Sequence, residues 1–258
     1  MADAHRDTLG KVPRLTLMFW IIKIAATTLG ETAGDAVSMS MNLGYLLSSA
    51  LFAAVLLAAV TVQVRSRHYH PALYWSVIVA TTTFGTTLAD YLDRSLGIGY
   101  AGGAATLGLL LLAALACWRL ATGSVSAQNL ATRKAEVFYW ITIMCSQTLG
   151  TALGDWFADP DAGLGLGYQG SALVFALALL ALAAAYAWSA CSRTALFWGA
   201  FILSRPLGAA LGDLLDKPAA NGGLGLNRYS ASAWLASFII ASLVVDARKA
   251  ASALRAAP

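Results

Sequence analysis

The sequence predicts an all-α polytopic membrane helical bundle: eight transmembrane helices arranged as four helical hairpins in parallel repeat. Three observations carry that expectation. Of 258 residues, 59% are hydrophobic and only 12% charged, against roughly 25% charged in a typical soluble domain. One motif recurs four times at fixed offsets. Each copy also holds two apolar runs close to the roughly 20 residues that a spanning helix needs. Mean hydropathy is +0.67, and a soluble fold of this length has no interior large enough for so much apolar surface. The composition therefore excludes an ordinary cytosolic enzyme, a disordered chain and a disulfide scaffold.

The repeat begins at a tryptophan. Trp20, Trp75, Trp140 and Trp198 each follow an aromatic residue, namely Phe19, Tyr74, Tyr139 and Phe197. Ten residues on stand Gly30, Gly85, Gly150 and Gly208. Gly34, Ala89, Gly154 and Gly212 follow four later, each directly before an aspartate: Asp35, Asp90, Asp155 and Asp213. The pattern is W-x9-G-x3-[GA]-D. A glycine turn, Leu43-Gly44-Tyr45 and its counterparts at Gly99, Gly167 and Gly225, then opens the second apolar run of each copy.

These signals place helices at about 17–37, 43–64, 73–92, 98–119, 136–157, 166–188, 194–215 and 229–247. The chain divides into a cytoplasmic N-terminal segment (1–16), repeat 1 (17–65), repeat 2 (73–119), a cytoplasmic linker (120–135), repeat 3 (136–188), repeat 4 (194–247) and a cytoplasmic tail (248–258). Each repeat holds an even number of helices, so all four enter the membrane from one side. Twelve of the 17 lysines and arginines lie in the termini and inter-repeat loops, against three within the hairpin connections: Arg94, Lys217 and Arg228. The positive-inside rule then puts both termini in the cytoplasm. Net charge is +4, which basic loops facing anionic lipid explain without nucleic acid. An odd count of three cysteines gives no disulfide framework. No removable signal peptide is evident.

Polar residues recur every four positions along the first helix of each copy, which sets them on one face. Repeat 1 offers Lys23, Thr27, Glu31 and Asp35; repeat 2 offers Thr82, Thr86 and Asp90; repeat 3 offers Gln147, Thr151 and Asp155; repeat 4 offers Arg205 and Asp213. At about 1.5 Å per residue the aspartates lie roughly 22 Å, and Glu31 about 16 Å, from the tryptophan level. Ionisable groups at such depth are costly and face a bundle interior or a wet cavity. Oxygen ligands suit hard divalent ions. The expected ion path is therefore Glu31, Asp35, Asp90, Asp155 and Asp213, with Thr27, Thr28, Thr82, Thr83, Thr86, Thr148 and Thr151 along it. The five carboxylates are the candidate metal ligands, and protonation of Glu31 would couple proton to substrate movement. The competing reading is structural. G-x3-[GA] lets helices approach closely, and the aspartates then cap helix ends. Arg205, beside Pro206, is deep enough to need a carboxylate partner, Glu31 or a repeat aspartate. Lys23 lies near enough to the helix start to snorkel to the interface. His68 and His70 sit in a basic loop that reads as solvated or lipid-facing. No catalytic motif, phosphate loop or dinucleotide fingerprint is present, so the chain does not read as an enzyme.

Through Lys23–Asp35 (K-I-x-A-T-T-L-G-E-T-x-G-D), Thr81–Asp90 (T-T-T-F-G-T-T-L-A-D) and the two later L-G-x3-G-D copies, nearly the whole chain resembles a family of uncharacterised bacterial inner-membrane proteins, labelled predicted membrane-anchored proteins. Separately, E-T-A-G-D at Glu31–Asp35 is similar to the acidic E-x-G-D motifs of small manganese and calcium exporters, with spacing that differs by one residue and four repeats where those families carry two. That likeness tilts the choice of ion toward Mn²⁺. The expectation is a secondary transporter exporting a divalent cation, with no cofactor, the lipid bilayer and the metal cation as partners, and a homo-oligomer compatible with the sequence. The alternative is a non-transporting membrane scaffold or sensor whose repeats serve packing.

Overall fold

The computed structural model describes residues 11–127, 130 and 132–256. Residues 1–10 of the N-terminal segment, Gln128, Asn129 and Ala131 of the linker, and the last two residues of the tail lie outside the described residues. Eight α-helices follow one another: α1 (Leu17–Asp35), α2 (Gly44–Arg65), α3 (Pro71–Asp90), α4 (Tyr100–Thr122), α5 (Arg133–Ala158), α6 (Gly167–Trp188), α7 (Arg193–Asp216) and α8 (Arg228–Ala256). α1 and α3 end in five-residue π-turns, Ala36–Ser40 and Tyr91–Ser95. α5 starts inside the segment expected as a linker, and α8 runs through most of the expected tail.

Each second helix is preceded or opened by a glycine with positive φ, where a side chain is strained. Gly44, Gly99, Gly167 and Gly225 have φ of 72°, 74°, 66° and 66°. That requirement explains why the glycine of the turn motif appears in every copy.

The four first helices form a closed ring, α1–α3–α5–α7, with α7 returning to α1. The second helices form an outer layer with a regular offset. Each packs on the first helix of the following repeat: α2 on α3, α4 on α5, α6 on α7, and α8 back on α1. Side-chain burial follows this division. The apolar windows of α2, α4, α6 and α8 are 17%, 22%, 11% and 17% buried, whereas those of α3 and α7 are 67% and 61% buried.

Among the described residues, six helices are long and apolar enough to cross a membrane: α2, α3, α4, α6, α7 and α8. α1 and α5 fall short by composition, so six of the eight expected spans meet that criterion. The reason is their position. Surrounded by other helices, they carry polar residues on faces that meet protein rather than lipid, including Lys23, Glu31 and Asp35 on α1 and Glu136, Gln147 and Thr151 on α5.

The recurrent residues are the joints of the ring. At the terminal end, each repeat's aromatic stacks on the next repeat's tryptophan: Phe19–Trp75 at 5.5 Å, Tyr74–Trp140 at 5.6 Å, Tyr139–Trp198 at 6.3 Å and Phe197–Trp20 at 6.1 Å between centroids. Trp75, Trp140 and Trp198 are buried in this cluster instead of standing against lipid. Nearly three turns deeper, ten residues past the tryptophan, each motif glycine receives the next repeat. Gly30 faces Thr82, Gly85 faces Gln147 and Thr148, Gly150 faces Arg205, and Gly208 faces Thr27. Threonine hydroxyls clasp two of these seams, Thr82 donating to the Ala26 carbonyl at 3.3 Å and Thr27 to the Ser204 carbonyl at 3.4 Å.

A Cβ at Gly85 would stand 2.9 Å from the Thr148 nitrogen and 3.0 Å from the Gln147 carbonyl carbon. Neither backbone can yield without parting α3 from α5. Gly85→Ala is expected to lower stability by about 1–3 kcal/mol. Gly108→Ala on outer helix α4, where a Cβ meets nothing within 4 Å, should leave it unchanged or slightly raised. Thermal unfolding of the purified protein in detergent compares the two.

Candidate functional site

The four-residue spacing of the polar stripe carries each inner helix's side chains to the axis of the ring, where equivalent positions form successive layers. Nearest the terminal end lie Phe19, Tyr74, Tyr139 and Phe197, all buried, with the Tyr74 and Tyr139 hydroxyls 2.8 Å apart. The next layer is Lys23, Ile78, Ile143 and Phe201, each fully or almost fully buried. Then come Thr27, Thr82, Gln147 and Arg205, followed by Glu31, Thr86, Thr151 and Ala209, and then Asp35, Asp90, Asp155 and Asp213. All four motif aspartates are thus brought to one level of one axis.

The guanidinium of Arg205 fills the centre of the ring. Its Nη2 donates to Glu31 on α1 at 2.9 Å, to Thr86 on α3 at 2.7 Å and to Thr151 on α5. One nitrogen of an α7 side chain therefore touches all three other inner helices. Thr86 also donates to Glu31 at 3.2 Å. Arg205 Nε and Nη1, and both amide atoms of Gln147, have no hydrogen-bond partner among the described residues. Pro206 removes one backbone donor from α7 directly beside this side chain.

Lys23 does not snorkel. It is fully buried, donates to the Ser204 hydroxyl at 3.2 Å and lies 4.0 Å above the Phe201 ring. The aromatic cluster beneath it blocks the short route to the interface, and hydroxyl and ring take the place of solvent.

The aspartate layer is neutralised in two halves. Arg94 pairs with Asp90 at 3.0 Å and reaches Asp155 of the next repeat at 3.2 Å. Lys217 pairs with Asp213 at 3.1 Å and, more closely, with Asp35 of the next repeat around the ring. Arg228 joins Asp216 at 3.1 Å and approaches Asp35 at 3.9 Å. Burial pulls the Lys217 ammonium down, but Asp213 and Asp35 beside it hold it well above the ordinary lysine value. Carboxylate oxygens of Asp35, Asp213 and Asp216 lie within 4.8 Å of one another, close enough to share a cation.

The expected threonines divide by role. Thr86 and Thr151 reach the axial arginine, and Thr27 and Thr82 clasp the helix seams. Thr28, Thr83 and Thr148 turn back onto their own helix, donating to the carbonyls of Ile24, Val79 and Met144 at 2.9, 2.8 and 3.0 Å. Unlike Thr27, Thr82 and Thr86, these three make no side-chain hydrogen bond to another helix among the described residues. His68 and His70 are exposed in their loop. In the sequence Arg94, Lys217 and Arg228 count only as charges in the connections, and Asp216 carries no role. The missed signal is D-x-x-D-[RK] in repeats 2 and 4, at Asp90-Asp93-Arg94 and Asp213-Asp216-Lys217, which repeats 1 and 3 lack.

Access comes from the acidic end. A cavity of about 480 Å³ opens over Arg94 and Asp155, walled by Tyr100, Tyr168 and Asp161. Arg94, with its side chain 32% exposed, is therefore the boundary between this vestibule and the axis.

Four tandem helical hairpins, apolar helices of membrane length and a buried charged axis define a membrane repeat protein. The sequence pattern of the family described as Repeat of Unknown Function (DUF347) matches residues 18–69, 73–124, 138–191 and 196–251. The chain belongs to that family. No curated protein and no solved structure matches it, so the likeness to manganese and calcium exporters rests on the short acidic motif alone.

Removing Arg205 leaves Glu31 buried without its charge partner. Arg205→Ala is expected to destabilise the protein by about 3–5 kcal/mol. Glu31→Gln combined with Arg205→Gln should recover most of that loss. Chemical unfolding of the single and double variants in detergent measures the difference, and equal loss in both would exclude the pairing as the cause.

Proposed function

We propose that this chain is a secondary transporter of a divalent metal cation, Mn²⁺ in the first instance, exporting it across the bacterial inner membrane in exchange for protons. On this reading all eight helices span the bilayer and both termini are cytoplasmic. α1 and α5 cross as the lining of the bundle despite their polar faces.

One observation carries the proposal: five carboxylates, Glu31, Asp35, Asp90, Asp155 and Asp213, are gathered on a single axis, and each is held by a basic side chain of the protein itself. A tethered ammonium or guanidinium between carboxylates can be exchanged for a mobile cation without leaving bare charge in a low-dielectric interior. Asp35, Asp213 and Asp216 supply oxygens at the spacing a hard divalent ion requires, provided Lys217 withdraws. Arg205 and Glu31 close the axis one layer below. Protonating Glu31 would release Arg205 and open the next step inward, which ties a proton to each transport event. The aromatic layer at Tyr74 and Tyr139 is the last barrier before the terminal end.

One observation favours the alternative, a non-transporting scaffold or sensor. Every axial carboxylate already has a basic partner, an arrangement that also serves to hold four helices in register.

Mn²⁺ flux into proteoliposomes holding the purified protein tests the choice. Wild-type protein should carry Mn²⁺ down its gradient, and Glu31→Gln and Asp35→Asn should each reduce the rate per folded molecule at least about tenfold, which corresponds to roughly 1.4 kcal/mol of barrier. Absence of flux for any divalent cation by folded wild-type protein would establish the scaffold reading instead.

A further inference from the structure

At the end opposite the aspartates, a second concentration of charge surrounds a cavity of about 200 Å³ lined by Lys11, Val64, Arg65, Arg67, Arg133 and Glu136. It is smaller than ordinary small-molecule clefts, which run to about 300–1,000 Å³. The cavity brings together the N-terminal segment, the end of α2 and the start of α5, three parts of the chain with no common repeat role.

Its charges do not balance. Lys11 is committed, donating to Glu136 at 2.6 Å and to the Val64 carbonyl at 3.2 Å. Glu136 is thereby used, its side chain 2% exposed. Arg65, Arg67 and Arg133 remain, all exposed, with no acid within ion-pair distance among the described residues. Three like charges around one cavity repel unless an anion joins them. The same cavity faces the first turn of α5, a helix of 26 residues whose N-cap Thr132 accepts from the Ala135 amide at 3.1 Å. Its positive dipole end favours an anion as well.

The surroundings decide which anion. On either side of the line below Arg65, α2 presents apolar side chains outward, with Val62 56% and Leu57 68% exposed. A ligand held by these arginines therefore has an apolar, protein-bound track beside it that runs along the membrane-length helix Gly44–Arg65. A free oxyanion makes no use of that track. An anionic phospholipid does, with its phosphodiester among guanidiniums that match it bidentately and its acyl chains along α2.

We infer that this cavity is a binding site for the phosphodiester headgroup of an anionic phospholipid, held by Arg65, Arg67 and Arg133 with the lipid tails against α2. The inference rests on the chain residing in a membrane and is independent of whether it transports a cation.

Thermal unfolding of the full chain in nanodiscs of phosphatidylcholine, with or without added phosphatidylglycerol, tests it. Phosphatidylglycerol should raise Tm by about 5 °C, the scale expected when a ligand well above its Kd binds only the folded state. Arg65→Gln/Arg67→Gln/Arg133→Gln should abolish the rise while keeping the Tm of wild-type protein in phosphatidylcholine alone. The control Arg119→Gln/Arg248→Gln/Lys249→Gln removes the same number of charges elsewhere and should retain the rise. Should the triple variant fold poorly, Arg67→Gln alone, in the loop after α2, should at least halve the rise. Equal Tm in both lipids for wild-type protein, or equal loss in cavity and control variants, overturns the site. A rise of the same size from inorganic phosphate in phosphatidylcholine nanodiscs overturns the assignment to lipid. Mn²⁺ flux does not enter any of these readouts, so failure here and failure of the transport reading are separable.

Discussion

A charge placed inside a helical bundle must find its counter-charge within the bundle, and the Arg205–Glu31 contact is where this chain meets that demand most severely. Both side chains are almost wholly buried, and burying either alone would cost several kcal/mol. Their pairing at 2.9 Å fixes α7 against α1. The same Nη2 atom, bonded to Thr86 and Thr151, fixes the distances to α3 and α5. The rest of the inner ring depends on this one guanidinium, since a shift of any inner helix strips it of a partner that water cannot replace.

Above that point the fourfold repeat becomes a twofold arrangement of charge. Repeats 2 and 4 provide the cations, Arg94 and Lys217, four residues after their own aspartates. Repeats 1 and 3 have Met39 and Asp159 at that position. Each cation spans forward to the aspartate of the following repeat. Four equal repeats, each with its own aspartate and cation, would have placed eight charges at one level. Four carboxylates against two cations, with Arg228 assisting one side, leave the layer acidic enough to attract a cation yet neutralised enough to fold. The two halves are also unlike in exposure: Arg94 faces a vestibule, whereas the Lys217 side chain is only 10% exposed.

Much of this was legible in the sequence because the repeat exposes equivalent positions four times. The helices, the hairpins, the convergence of the aspartates and the need of Arg205 for a carboxylate all follow from spacing and depth. Lys23 misled because its height above Trp20 says nothing about what stands between it and lipid. Here Phe201 and Ser204, from a helix 180 residues away in sequence, occupy that space. Thr28, Thr83 and Thr148 misled for a related reason. They adjoin Thr27, Thr82 and Gln147, but one residue is about 100° of helix rotation, and their hydroxyls satisfy themselves on local carbonyls. The bridging role of Arg94 and Lys217 was hidden by their place in the connections, where positive charge is ordinarily a guide to orientation only.

The seat of each outer helix was not legible, because it is not the outer helix's own hairpin partner. A covalent hairpin suggests that its two helices pack together, as short loops usually imply. In this fold the second helix of each repeat packs mainly on the next repeat's first helix, although α5 and α6 of repeat 3 also touch, with Ser171 donating to the Gly154 carbonyl at 3.3 Å. The aromatic stacks, the glycine seams and both bridging cations are displaced in that same direction around the ring. The contacts that join the ring are thus contacts between repeats. No single hairpin contains a complete joint, and the last joint, α8 on α1 with α7 beside it, brings the final repeat onto the first. This explains why the chain holds four copies and why the charges at the axis can differ between them. Closure is supplied by the recurring residues at the seams, which leaves the axial positions free to carry Lys23, Glu31, Gln147 and Arg205 once each.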